Sequence, residues 1–192
     1  MTAYAHNPVS PPASCSSTRA PTPPSGVATH PAVLLGLIIL ALTLLATIAS
    51  TVWPELGTDR RPQPTLHGTP AEALSILLGN ARTLALPLLL SAGRWHTHPS
   101  TRLVGDLLVT ALVIANPVNV GLALGRHPTA LPAYLPHLPL EHAALAIAAS
   151  AWLTRRLPGR RARTGLLACA ALTLTLTASA ALIETYAVPH KG

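Results

Sequence analysis

Long apolar segments dominate this chain, and the first of them, Ala32 to Ser50, constrains the fold most. It contains about 19 consecutive residues without a charge, most of them Leu, Ile, Ala or Val. At about 1.5 Å per residue, such a helix is about 28 Å long and nearly crosses the hydrocarbon core of a bilayer. The segment lies far from the N terminus and lacks a basic region directly before it, which argues against a signal peptide. We therefore predict a first transmembrane helix at 32–50.

Four further apolar segments predict further helices. The second begins at the sequence Thr-Pro-Ala-Glu at 69–72, because Thr is a good N-cap, Pro suits the first helical position and an acid suits the first turn. The third is predicted at about 103–124 and the last at about 165–188. The fourth, at 140–153, is short, and we expect it to span the bilayer rather than re-enter.

Composition agrees with a membrane location and excludes a basic nucleic-acid-binding domain. The chain is 49% hydrophobic and 10% charged, which is too apolar for the surface of a small soluble domain. The net charge of +7 comes from basic residues placed between apolar segments rather than on one folded surface, so we predict no nucleic-acid partner. The lipid bilayer is the predicted partner.

The predicted fold class is therefore all-α, a polytopic transmembrane bundle of about five helices with a disordered N-terminal tail. Residues 1–31 are rich in Pro and Ser and form the tail, because they cannot bury enough apolar surface to fold. Residues 51–70 are predicted to be a loop, and 71–189 the remaining bundle.

The distribution of basic residues predicts the orientation in the cell membrane. Loops rich in Arg and Lys stay in the cytoplasm. The residues that this rule and five crossings place inside are Arg19, Arg94, Arg102, Arg155, Arg156, Arg160, Arg161 and Arg163, and those placed outside are Arg60, Arg61, Arg126 and Lys191. The N terminus is accordingly predicted to be cytoplasmic.

Several polar residues fall within or at the ends of the apolar segments, where a charge at the bilayer centre costs about 2.5 to 3.5 kcal/mol. The charged or amide members are Asn80, Arg82, Asp106, Glu141 and Glu184. They predict an ion, proton or substrate path, a polar surface for a partner, or an internal pair such as Arg82 with Glu184. Asp106 lies near the start of its helix, where the helix dipole favours an acid, so its predicted role is structural.

Two other groups are secondary candidates. Asn116 and Asn119 flank Pro117, which removes a helical hydrogen bond and invites a kink. His137, Glu141 and His142 carry groups that can bind zinc, but Pro139 is expected to break the helix between His137 and the acid. We therefore predict no metal and no cofactor.

The second half of the chain, about 79–189, resembles the stage II sporulation protein M family of bacterial integral membrane proteins. The resemblance rests on the sequence Gly-Asn-Ala-Arg at 79–82, on Pro136-His137 followed by Glu141 and an Ala-rich run, and on Ile183-Glu184. Leu138 and Pro139 stand where the family has Gly and the residue after it. The resemblance implies that Asn80, His137, Glu141 and Glu184 are signature positions.

The family's sporulation member acts with peptidoglycan-degrading partners, so the resemblance implies a membrane scaffold that recruits a cell-envelope protein. No glycine-rich phosphate loop, Gly-x-Ser-x-Gly elbow or metal-spaced Cys pair occurs in the sequence, and we predict that the protein is not an enzyme. A transport or permease subunit is the alternative, because broken helices beside buried acids often line transport sites. A membrane metalloenzyme is the third hypothesis.

Overall fold

Five α-helices form one bundle in the computed structural model, which describes residues 31–56, 68–93, 97–128, 135–156 and 163–186. The helices are α1 (Pro31–Val52), α2 (Pro70–Ala92), α3 (Pro99–Arg126), α4 (Leu138–Arg156) and α5 (Arg163–Tyr186), with a 3-10 turn at Pro54–Leu56. Within these ranges there is no β-strand. The predicted all-α bundle of five helices is confirmed. Residues 1–30 of the predicted tail lie outside the described residues.

The start of α2 has the local structure that the sequence predicts. The Thr69 hydroxyl accepts a hydrogen bond from the Glu72 amide at 3.3 Å, and the Glu72 carboxylate accepts one from the Thr69 amide at 2.9 Å. This reciprocal capping box satisfies two amides that the helix itself leaves without a partner. Helix α2 therefore begins where the sequence predicts.

Four of the five helices are long and apolar enough to cross a membrane, namely α1, α2, α3 and the part of α5 from Gly165 to Tyr186. Their outward faces carry large apolar side chains, such as Leu37 at 60% exposure and Leu167 at 76%. Apolar surface of this extent is unfavourable in water and favourable against lipid tails. The chain is a multi-pass membrane protein.

Helix α4 is not one of the four apolar helices, but it lies at the centre of the bundle. It packs against each of the other four helices. Ala144, Ala148 and Ala149 are fully buried, and such small side chains let neighbouring helices approach closely. Because protein rather than lipid covers α4, it needs less apolar surface than its neighbours do.

Close contact between α1 and α3 depends on two glycines four residues apart. A Cβ on Gly121 would overlap the Thr43 carbonyl oxygen, and one on Gly125 would overlap the Thr47 carbonyl oxygen and the Ser50 hydroxyl. Such small-residue pairs are typical of tightly packed transmembrane helices. Because later residues of α3 meet later residues of α1, these two helices run parallel.

Helix α4 runs in the opposite direction. Along α1, Gly36 faces Ala146 and Thr43 faces His142, so the order of neighbours on α4 is reversed. The end of α4 therefore lies towards the face of the bundle where α1 and α3 begin. The short helix that we expected to span returns the chain from one face to the other, between α3 and α5.

Candidate functional site

The four predicted signature residues meet in the bundle. We call them the polar cluster: Asn80, His137, Glu141 and Glu184. The Asn80 side-chain amide donates a hydrogen bond to Glu141 Oε1 at 2.6 Å. His137 Nε2 lies 4.0 Å from Glu184 Oε2. One side-chain atom each of His137, Glu141 and Glu184 lies within 4.8 Å of the other two. Residues up to about a hundred positions apart in sequence thus form one site between α2, α4 and α5.

The start of α4 positions two members of the cluster. The His137 carbonyl accepts hydrogen bonds from the amides of Leu140 and Glu141 at 3.0 and 3.2 Å, so the first helical turn begins directly after His137. Pro139 lies within this first turn, where its missing N–H costs nothing. Our expectation that Pro139 breaks the helix between His137 and Glu141 is wrong, and the two residues lie four apart at the helix start.

The polar side chains of the cluster are buried or partly buried inside a bundle that is otherwise mostly apolar. His137 is only 2% exposed, and Glu141 and Glu184 are partly buried. Neutral imidazole and carboxylate are both electron-pair donors, so the cluster can accept protons or bind a cation.

Arg82 does not join the cluster. Its side chain is exposed, and the ion pair with Glu184 that we considered is absent among the described residues. His137 is instead the neighbour of Glu184. Arg82 lies two residues after Asn80, and residues two apart on a helix point in different directions.

A cavity of about 150 Å³ adjoins the cluster. Its polar lining comes from α2, α3, α4 and α5. The lining residues are Asn80, Thr83, Leu84, Asn116, Val120, Glu141, His142, Leu145 and Thr177. Asn116 thus reaches the same interior space as the cluster, whereas Asn119 is exposed.

His142 contacts α1 rather than the polar cluster. Its Nε2 lies 3.3 Å from the Thr43 hydroxyl of α1, and it is absent from the group of close ligand atoms formed by His137, Glu141 and Glu184. The zinc hypothesis had combined His137, Glu141 and His142. In the structure, the third side chain close to His137 and Glu141 is Glu184 rather than His142. No local sequence pattern connects Glu184 to His137.

Asp106 forms a second polar contact, near the other end of α4. The Trp152 indole N–H donates to Asp106 Oδ1 at 2.9 Å, and the Arg156 guanidinium pairs with Asp106 Oδ2. Arg156 also lies over the Trp152 ring, 5.9 Å from its centroid. These contacts join α3 to α4 and fit the structural role that we predicted for Asp106.

Fold and site together define the class: a multi-pass helical membrane protein with a polar cluster between three of its helices. No protein-family model, no curated protein and no solved structure matches the chain. The resemblance to the stage II sporulation protein M family therefore rests on the residues quoted for it.

Proposed function

We propose that the protein is a non-enzymatic scaffold in the cell membrane, with a cytoplasmic N terminus, that recruits or anchors a cell-envelope partner. The observation that carries this proposal is the bracing of α4 near both ends. Asn80 and Glu141 join its start to α2, and Asp106 joins its end to α3 through Trp152. A central helix held in this way suits a protein that presents a fixed surface.

The small size of the interior cavity also supports a scaffold. Sites for small organic molecules usually enclose about 300 to 1,000 Å³, whereas the cavity beside the cluster has about 150 Å³. An organic substrate would require α4 to move away from its neighbours and to break the hydrogen bonds that hold it. The stage II sporulation protein M-like residues agree with this proposal, because the resemblance to that family's sporulation member implies a membrane scaffold.

Capture of the partner from native membranes tests the proposal. The full chain is purified in mild detergent and compared with the Glu141→Gln, Glu184→Gln double variant by quantitative mass spectrometry. The expected result is one envelope protein in stoichiometric amount with the wild type and its loss with the double variant. Glu55→Gln, at an exposed acid outside the cluster, is the matched control and retains the partner. A wild type that recovers no specific protein contradicts the scaffold.

A transport subunit for protons or small cations is the second candidate, and one observation favours it. Asn116, next to the buried Pro117 within α3, lines the cavity together with Glu141. Polar groups beside a proline in a transmembrane helix are typical of ion pathways. Cation or proton flux into proteoliposomes, abolished by Glu184→Gln and kept by Glu55→Gln, supports this function. Equal leakage in all three proteins rejects it.

A further inference from the structure

We propose that His137, Glu141 and Glu184 bind one divalent first-row transition-metal ion, with Zn²⁺ as a fitting example. The ion would connect the start of α4 to the end of α5. This inference does not rest on the scaffold function, because a metal can stabilise a bundle whatever the bundle does. The sequence led us to predict no metal because Pro139 was expected to separate the ligands, and the structure removes that reason.

The distances between the three side chains are within reach of a metal site. Tetrahedral zinc with bonds of about 2.0 to 2.1 Å requires ligand atoms about 3.3 Å apart. The three atoms lie within 4.8 Å of one another, and His137 Nε2 lies 4.0 Å from Glu184 Oε2. Metal binding therefore requires the ligand atoms to move closer together, and rotation of the two glutamate side chains is the change that we expect.

The charges of the site favour a dication. Glu141 and Glu184 carry two carboxylates in an apolar interior, where isolated negative charges are expensive. One divalent ion balances both. A neutral imidazole then adds an electron pair without adding charge, so the loaded site is neutral and the cost of burial is small.

Asn80 has the position of an outer partner for such a site. Its side-chain amide donates to Glu141 Oε1 at 2.6 Å, which leaves the other carboxylate oxygen for the ion. Metal-binding carboxylates are usually held by hydrogen bonds of this kind, because these fix the orientation of the ligand. Asn80 is therefore a positioning residue rather than a ligand.

The cluster adjoins a cavity that can hold water. The cavity of about 150 Å³ borders Glu141, and a water occupies about 30 Å³ in the liquid, so water can complete the coordination of the metal. Leu135 and Pro136 are exposed directly before His137, so the site begins one residue from the surface.

The ligand types select the class of metal. Imidazole is a common ligand for Zn²⁺ and other first-row transition metals, whereas Mg²⁺ and Ca²⁺ prefer oxygen ligands throughout. Two carboxylates and one imidazole therefore favour a transition metal over Mg²⁺. Excess Mg²⁺ is expected to leave bound zinc in place.

The test measures zinc bound to the full chain, purified without a histidine tag, stripped with chelator and dialysed against Zn²⁺. We expect about one equivalent by elemental analysis, retained in excess Mg²⁺. The chain has nine histidines, so loose binding elsewhere has to be separated from the site by variants. His137→Gln and Glu184→Gln are expected to lose this equivalent. His98→Gln and Glu55→Gln, at exposed positions, are expected to keep it.

Folding is checked separately, so that a misfolded variant does not imitate a lost site. Wild type and variants are compared by gel filtration, and the visible spectrum of bound Co²⁺ reports the ligand geometry directly. A change of that spectrum in a folded Glu184→Gln protein supports the site. A folded wild type that retains no zinc, or variants that retain as much as the wild type, overturn the proposal.

Discussion

At the scale of the residue, the sequence identified the members of the polar cluster but not which of them contact each other. Asn80, Glu141 and Glu184 stood out because polar groups in apolar segments need partners, and His137 stood out as a possible metal ligand and through the family resemblance. The structure brings all four together. Arg82 satisfied the same criterion and lies on an exposed surface instead. Sequence position shows which segment a residue belongs to. The direction of its side chain depends on how neighbouring helices are rotated, and that follows from packing.

The hydrogen bond from Asn80 to Glu141 leads to a prediction for stability. Asn80→Ala removes the donor and leaves the carboxylate without it, so the free energy of unfolding is expected to fall by about 1 kcal/mol, a typical value for an interhelical hydrogen bond in a membrane protein. Unfolding by SDS in mixed micelles measures this change. Asn119→Ala, at an exposed amide on α3, is expected to have little effect. Equal effects of the two substitutions contradict the prediction.

At the scale of the element, the sequence predicted the helices well and the central one least well. α4 extends from Leu138 to Arg156, beyond the predicted 140–153, because Pro139 begins the helix instead of preventing it. Its central position was not predictable, since an Ala-rich segment of modest hydropathy looks like a poor transmembrane helix. The contact of α1 with α3 did have a sequence signal that we overlooked, the Gly121-x-x-x-Gly125 pattern in an apolar segment.

That contact leads to a prediction with an internal control. Gly121→Ala adds a methyl group that would overlap the Thr43 carbonyl oxygen, and a backbone atom cannot move aside as a flexible side chain can. Gly79→Ala, on α2, meets nothing within 4 Å and gains helix propensity. We expect Gly121→Ala to lower the free energy of unfolding by about 1 to 3 kcal/mol relative to Gly79→Ala. SDS titration of the two variants measures this difference. Equal stability of the two variants argues against close packing of α1 and α3 at Gly121.

The contact of α3 with α4 is tested by Trp152→Phe. This substitution removes the indole N–H that donates to Asp106 and also the outer ring atoms beside Gly105, where an added Cβ would lie 2.6 Å from Trp152. A loss of more than about 1 kcal/mol in the free energy of unfolding is expected, because a partly buried carboxylate loses one of its donors and a buried ring becomes smaller. The Trp152→Phe, Asp106→Asn double variant provides the control. If the bond matters, the two effects are not additive.

At the scale of the whole molecule, the direction of the helices agrees with the distribution of charge. α1 and α3 begin at one face, and α4 ends towards it. Arg102 near the start of α3 and Arg155 and Arg156 at the end of α4 therefore lie towards the same face, whereas Arg126 ends α3 at the opposite one. This arrangement follows the rule that basic loops stay in the cytoplasm. If the predicted orientation holds, the polar cluster, at the start of α4, is in the half of the bundle away from the cytoplasm.

The number of crossings is the last prediction, and the two termini report it. If α4 crosses the membrane, there are five crossings and the termini lie on opposite sides; if it does not, the four apolar helices leave both termini on the same side. The chain has two cysteines, Cys15 and Cys169. With Cys169→Ala, a membrane-impermeant maleimide is expected to label Cys15 only after the cells are permeabilised.

The second half of that experiment combines Cys15→Ser and Cys169→Ala with Lys191→Cys. This variant is expected to be labelled in intact cells, because five crossings place the C-terminal segment outside. Full labelling of both proteins in detergent is the control for access. Labelling of both termini from the same side means that α4 does not cross. That outcome contradicts the path of α4 from one face of the bundle to the other. It would require α3 and α5 to run in opposite directions, whereas the pair of His137 with Glu184 places the end of α5 at the start of α4, beside the end of α3.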